Sequence, residues 1–176
     1  MPPPSLRCRA ASFVFLVSAI AVILSMTWWT LELTWQPWKA MRPGLLAVLY
    51  LSYAWLPLAF VLYAVQDVIY ASRGELLFYR APLHALAIGY FGSMLVAMVT
   101  RVNQGHSSRP LQMGAVLWLC FGLLQGVALL RILAEFGGDV FLWLALAAWG
   151  WLLAFLLWVL RSTWIFLTPQ LDGKPS

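Results

Sequence analysis

Long apolar runs separated by short polar breaks dominate the chain, and within each run the apolar residues are continuous rather than alternating with polar ones. Five runs are long enough to span a bilayer: 10–31, 44–66, 82–100, 111–131 and 140–163. A spanning β-strand would need only about ten residues with strict alternation, so this pattern predicts helices. Arg7 and Arg9 precede the first run in the manner of a signal peptide. That run is long and no small-x-small cleavage site follows it, so it reads as a retained anchor. The second run contains Pro57, which removes an intrahelical hydrogen bond and predicts a bend there.

The breaks have their own character. "ELTWQPWKAMRPG" (32–44) is rich in tryptophan and reads as an interfacial loop with its rings at headgroup depth. "DVIYASRGELLFYRA" (67–81) is the longest connection and has room for a short surface helix. "RVNQGHSSRP" (101–110) reads as a tight turn between the third and fourth spans, and "ILAEFGGD" (132–139) separates the fourth from the fifth. No soluble linker, repeat or low-complexity segment interrupts this plan.

Composition agrees. Of the 176 residues, 63% are hydrophobic and 10% charged, whereas a soluble domain carries about a quarter charged residues. Too little polar surface is available to cover such a chain in water. The expected fold is an all-α integral membrane protein, a polytopic helical bundle in one domain over residues 1–176, with the lipid bilayer as its first partner. The net charge of +5 is spread over the segment ends, and no basic cluster points to nucleic acid. Arg7, Arg9, Arg73, Arg80 and Arg131 fall on one side, and Lys39, Arg42, Arg101, Arg109, Arg161 and Lys174 on the other, so the charge bias does not choose an orientation. Cys8 is interfacial and Cys120 deep in a span, which argues against a disulfide between them.

The third span carries small residues every fourth position, at Ala85, Gly89, Ser93 and Ala97, widened by Gly92. The fourth has Gly114, Gly122 and Gly126 in line with Trp118. Two such stripes are expected to face each other. They serve either tight helix packing or a slot for a flat ligand. The two histidines lie at the ends of the third span: His84 in its first turn, beside Pro82, and His106 in the turn beyond it. Twenty-two residues of helix are about 33 Å, roughly the hydrocarbon thickness, so the two imidazoles cannot share one metal within one chain. Each is either a ligand at a separate site or an ordinary interfacial residue.

Arg101 and Arg109 bracket the second histidine and would pair with lipid phosphates or with carboxylates of a cofactor. Met94, Met98 and Met113 offer thioethers that serve as soft ligands or as packing. Gln125 lies well inside the fourth span and calls for an interhelical hydrogen bond. No CxxC, HExxH or phosphate-binding loop is present. Asp67, Glu75, Glu135 and Asp139 all fall at span ends, which argues against an ion-coupled transporter.

The stretch "APLHALAIGYFGSMLVAMVTRVNQGHSSRPL" resembles the NnrS family of bacterial inner-membrane proteins. The resemblance rests on His84-Ala85-Leu86, Gly89, Gly92, Met98, Thr100-Arg101-Val102, Gly105-His106 and Arg109-Pro110-Leu111. "YAWLPLAFVL" (53–62) and the ending "WIFLTPQLDGKPS" extend it over 44–175. It implies a multi-pass protein of the bacterial inner membrane, binding haem b and in some cases copper, and linked to nitric oxide metabolism and nitrosative stress. His84 and His106 become the implied metal ligands, and Arg101, Arg109, Gly89 and Gly92 the implied surroundings of the cofactor. The family's members carry about twelve spans, of which this chain resembles the last five. The histidine-rich helix of the first half has no counterpart here, and Tyr50 and Ala87 stand where the family often has histidine and threonine. The implied partner is therefore a second copy of the chain, or a separate membrane subunit supplying the missing half. Two function classes remain at this level: a haem-binding protein of the nitric oxide response, and a non-catalytic assembly or scaffold subunit that has lost the cofactor.

Overall fold

A computed structural model describes residues 4–34, 44–107 and 109–168 of the chain. The loop with Trp35 and Trp38, and the segment from residue 169 onward, lie outside the described residues. Five helices carry the fold: α1 (Pro4–Thr34), α2 (Gly44–Arg73), α3 (Ala81–His106), α4 (Ala115–Leu133) and α5 (Val140–Leu167). A single 3₁₀ turn, Ala134–Phe136, extends α4. Four helices, α2 to α5, are long and apolar enough to cross a membrane, and in α1 the stretch Leu16–Leu31 is apolar but shorter. No strand occurs among the described residues, so the bundle is all-helical, as composition required.

Packing contacts fix the order of the helices. Val48 and Trp55 of α2 meet Ala97 and Ala85 of α3, so low numbers pair with high ones and the two helices run antiparallel. The same inversion joins α3 to α4, through Ala85 with Ala128 and Ala97 with Phe121. It joins α4 to α5 through Leu117, Cys120 and Leu124 with Ala154 and Trp158. On the other flank, Ser18 of α1 lies 3.4 Å from Asp67, and Trp28 stacks on Tyr53. The core is therefore centred on α3, between α2 and α4. Large apolar side chains such as Phe141, Trp149, Trp164 and Phe166 stay exposed on α5, where a lipid solvent accepts them.

The helices do not stop where the apolar runs stop. α3 continues through the polar residues 101–106 and ends at His106, so the turn to α4 begins at Ser107 rather than at Arg101. Polar side chains end a hydrophobic span but not a helix, whose backbone bonds stay satisfied in the headgroup region. Likewise Asp67–Arg73 prolong α2, and residues 74–80 after it hold bends and a turn rather than a separate surface helix. Gly74 ends α2 in the left-handed region at φ 72°, and its N–H donates to the Tyr70 carbonyl at 2.8 Å.

Two irregularities shape the centre. α2 breaks register at Ala54, three residues before the fully buried Pro57, whose missing N–H cannot serve the Tyr53 carbonyl. α3 widens into a π-helix over Ala85–Gly92. The two defects face each other: the Trp55 indole lies against Gly89, where an added Cβ would come within 2.6 Å of Trp55 Cε3.

Candidate functional site

A polar cluster with both charges lies where α3 begins and α4 ends. Pro82 stands at the start of α3, as its fixed φ favours, and holds His84 in the first turn. His84 is half-buried, and its Nε2 lies 2.9 Å from Nη2 of Arg131 and 3.6 Å from Oε1 of Glu135. A guanidinium can only donate, so Nε2 must accept, and the ring proton of the neutral imidazole sits on Nδ1. Arg131 and Glu135 are four residues apart near the end of α4 and present both charges to the ring from one side.

Beside this cluster a cavity of about 600 Å³ opens, lined by Leu76, Tyr79, Arg80, Arg131, Glu135 and Leu144 among others. Its rim is made by two connections tied together through the edge-to-face contact of Phe78 and Phe136, 5.5 Å between ring centres. Tyr79 at this rim has φ 39°, a conformation that costs a non-glycine residue energy and is often found at functional sites. The cavity lining thus carries two guanidinium groups and one carboxylate, and its Arg131 also meets the His84 imidazole, which is not part of the lining.

The other residues singled out from sequence are dispersed. His106 ends α3 at the far end of the bundle and is exposed, and Arg101 is exposed as well. Arg109 donates to Thr168 Oγ1 at 2.6 Å. Gly89 is buried beneath Trp55, so the groove at that glycine is filled by an indole of the same chain, while nothing but the Ala87 carbonyl of its own helix approaches Gly92. The stripes do not face each other as expected. Gly122 and Gly126 border an open groove with Trp118 and Gly150 instead, on the α5 side. Their neighbours Phe121 and Gln125 face α3, because adjacent helical positions are about 100° apart.

Gln125 does find interhelical partners. Its Nε2 donates to Ser93 Oγ at 2.6 Å, and its Oε1 accepts from the Trp55 indole. A second buried bond runs from Trp158 Nε1 to Thr100 Oγ1 at 2.9 Å. Cys120 is a buried free thiol, consistent with a packing role, and nothing is described of the Cys8 side chain. No group of three or more His, Cys, Asp or Glu gathers among the described residues.

A family model described as NnrS protein matches residues 6–170. The chain belongs to the NnrS family. The match begins at residue 6, so α1 is part of the NnrS region, although its apolar sequence carried no recognisable motif. Family membership supports a membrane protein of the nitric oxide response at the family level. No curated protein and no solved structure matches the chain. Arg131, Glu135, Arg80 and Trp55 were missed as site residues. Arg131 and His84 are 47 positions apart, and only the register of α3 against α4 brings them together.

Proposed function

We propose that this NnrS protein binds haem b through His84, at the cavity bounded by Arg80, Arg131 and Glu135, as part of the nitric oxide response of a bacterial inner membrane that it crosses several times. One observation supports the reading: the imidazole directs an Nε2 lone pair at the guanidinium of Arg131, which lines a cavity of about 600 Å³. That volume lies within the usual range for cofactor sites. The Nε2 lone pair, the cavity volume and the two guanidinium groups suit such a group, with His84 reached past Arg131 rather than lining the cavity itself. A haem held there supplies an iron that binds diatomic gases. The protein's part is local. Arg131 must turn from Nε2 toward Glu135, four residues along the same helix, before His84 can ligate. Arg80, at the exposed rim, has the charge and reach to meet a propionate.

His106, Arg101 and Arg109 stand apart from this site at the opposite end of α3, and a role for His106 as ligand requires a second copy or a separate membrane subunit. Gly89 supports the site through packing, not as a slot. Copper finds less support, because no group of three or more His, Cys, Asp or Glu gathers around His84 among the described residues. The competing reading, an assembly subunit without cofactor, draws on the same glycine packing and on the exposed groove of Gly122, Gly126 and Gly150. Haem supplementation of the detergent-purified chain, followed by a visible spectrum of wild type and His84→Ala, separates the two. The haem reading requires a Soret band that the substitution removes or shifts.

A further inference from the structure

The His106 end of the bundle holds two arginines that the described side chains satisfy only in part. Arg109 gives one Nη2 bond to Thr168, but its Nε is buried and has no hydrogen-bond partner. The Nε of Arg161, on α5, is also buried and without a partner. Arg161 reaches across to the start of α4, where its Nη2 lies 3.7 Å from the position of a Cβ on Gly114. Gly114 precedes α4 in an extended conformation, and no side chain caps the first-turn amides there. Thr168, just beyond α5, and Arg161 are seven residues apart, about 10 Å along the helix axis, so the two arginines lie at the same end of the bundle.

No carboxylate is available nearby among the described side chains. Asp67, Glu75, Glu135 and Asp139 all lie toward the His84 end. Two buried guanidinium Nε–H groups without an acceptor are costly, and an anion is the chemistry that relieves them. Depth indicates its source. The 28 residues of α5 span about 42 Å, against a hydrocarbon layer of about 30 Å. Arg161 lies six residues before the end of α5, about 9 Å, which puts it at the boundary between acyl chains and headgroups. Free anions in water have poor access to that depth, whereas a lipid phosphate is anchored at it.

We propose that Arg109 and Arg161 form a binding site for the phosphate of an anionic phospholipid, seated between the start of α4 and the last turns of α5. The site is independent of haem at His84, being at the other end of the bundle. It also gives Arg109 a lipid phosphate as its partner in place of a cofactor propionate. Lipid bound here joins the α3–α4 connection to the end of α5 and stabilises the folded bundle by mass action.

The test uses the full chain purified in detergent, with native mass spectrometry and thermal unfolding as readouts. Phosphatidylglycerol, phosphatidylcholine and inorganic phosphate are the probes. Wild type is expected to retain phosphatidylglycerol at least tenfold over phosphatidylcholine and to melt several degrees higher with it. The double substitution Arg109→Gln, Arg161→Gln is expected to lose both effects, while Arg73→Gln, exposed at the other end, keeps them. Arg161→Lys, which keeps the charge and loses the Nε donor, is expected to fall between. Equal retention of the two lipids by wild type overturns the proposal without needing any variant to fold. So does undiminished retention by the double variant, or protection by millimolar inorganic phosphate that equals that of the lipid.

Discussion

Nη2 of Arg131 lies 2.9 Å from Nε2 of His84, joining the end of α4 to the first turn of α3 across 47 residues of sequence. The donor-only guanidinium dictates which ring nitrogen carries the proton. Solid-state ¹⁵N spectra of the cofactor-free protein should therefore show neutral His84 as the Nδ1-protonated tautomer. Arg131→Gln, whose amide can both donate and accept, should make the two tautomers comparable. An Nε2-protonated ring in wild type would contradict the contact.

The approach of Trp55 to Gly89 predicts a steep cost for any side chain at that glycine. Gly89→Leu drives its Cβ into the indole, since even the Cε3 atom would lie at 2.6 Å. Overpacking of this kind costs about 1–3 kcal/mol. Thermal unfolding in detergent should show Gly89→Leu several degrees below wild type, with partial recovery when Trp55→Ala is added. Equal melting of Gly89→Leu and wild type would mean that the indole sits elsewhere.

Gln125 links α4 to both α2 and α3, so its loss leaves the Trp55 indole N–H without its acceptor and the Ser93 hydroxyl without its donor in an apolar interior. Gln125→Leu should destabilise the bundle by about 1–3 kcal/mol, toward the lower figure if the unfolded chain finds partners within the membrane. Adding Ser93→Ala should recover part of the loss, because it removes the stranded hydroxyl and leaves only the indole N–H unpaired. The check is a double-mutant cycle on thermal or denaturant unfolding, with a coupling term different from zero as the expected result.

On α5 the two tryptophans Trp158 and Trp164 make a matched pair for comparison. Trp158 is 8% exposed and donates to Thr100, whereas Trp164 is 70% exposed. Trp158→Phe should lower stability by about 1 kcal/mol, and Trp164→Phe should leave it within about 0.5 kcal/mol. The same unfolding assay reads both.

The helices were legible in the sequence because a bilayer demands continuous apolar runs, and those runs cannot be disguised. Their ends were less so: α3 carries on through Arg101 to His106, since lipid exposure and backbone helicity end for different reasons. The need of Gln125 for a partner was readable from its depth, but the identity of that partner was not. Trp55 and Ser93 meet it only through the registers of α2 and α3. The glycine spacing was visible, yet not its use. Gly89 receives an indole, and Gly122 looks into an open groove, a difference of helix rotation that a four-residue period does not encode. The His84 motif pointed to a ligand, while Arg131 and Glu135 around it emerged only from the fold.

The central claim is that His84 is the haem ligand of this NnrS protein. The most direct measurement is the visible spectrum of the purified, haem-supplemented chain beside that of His84→Ala and His106→Ala. The account predicts a Soret band that His84→Ala abolishes or displaces and His106→Ala leaves in place. No Soret band in wild type, or one that His84→Ala does not alter, would contradict it.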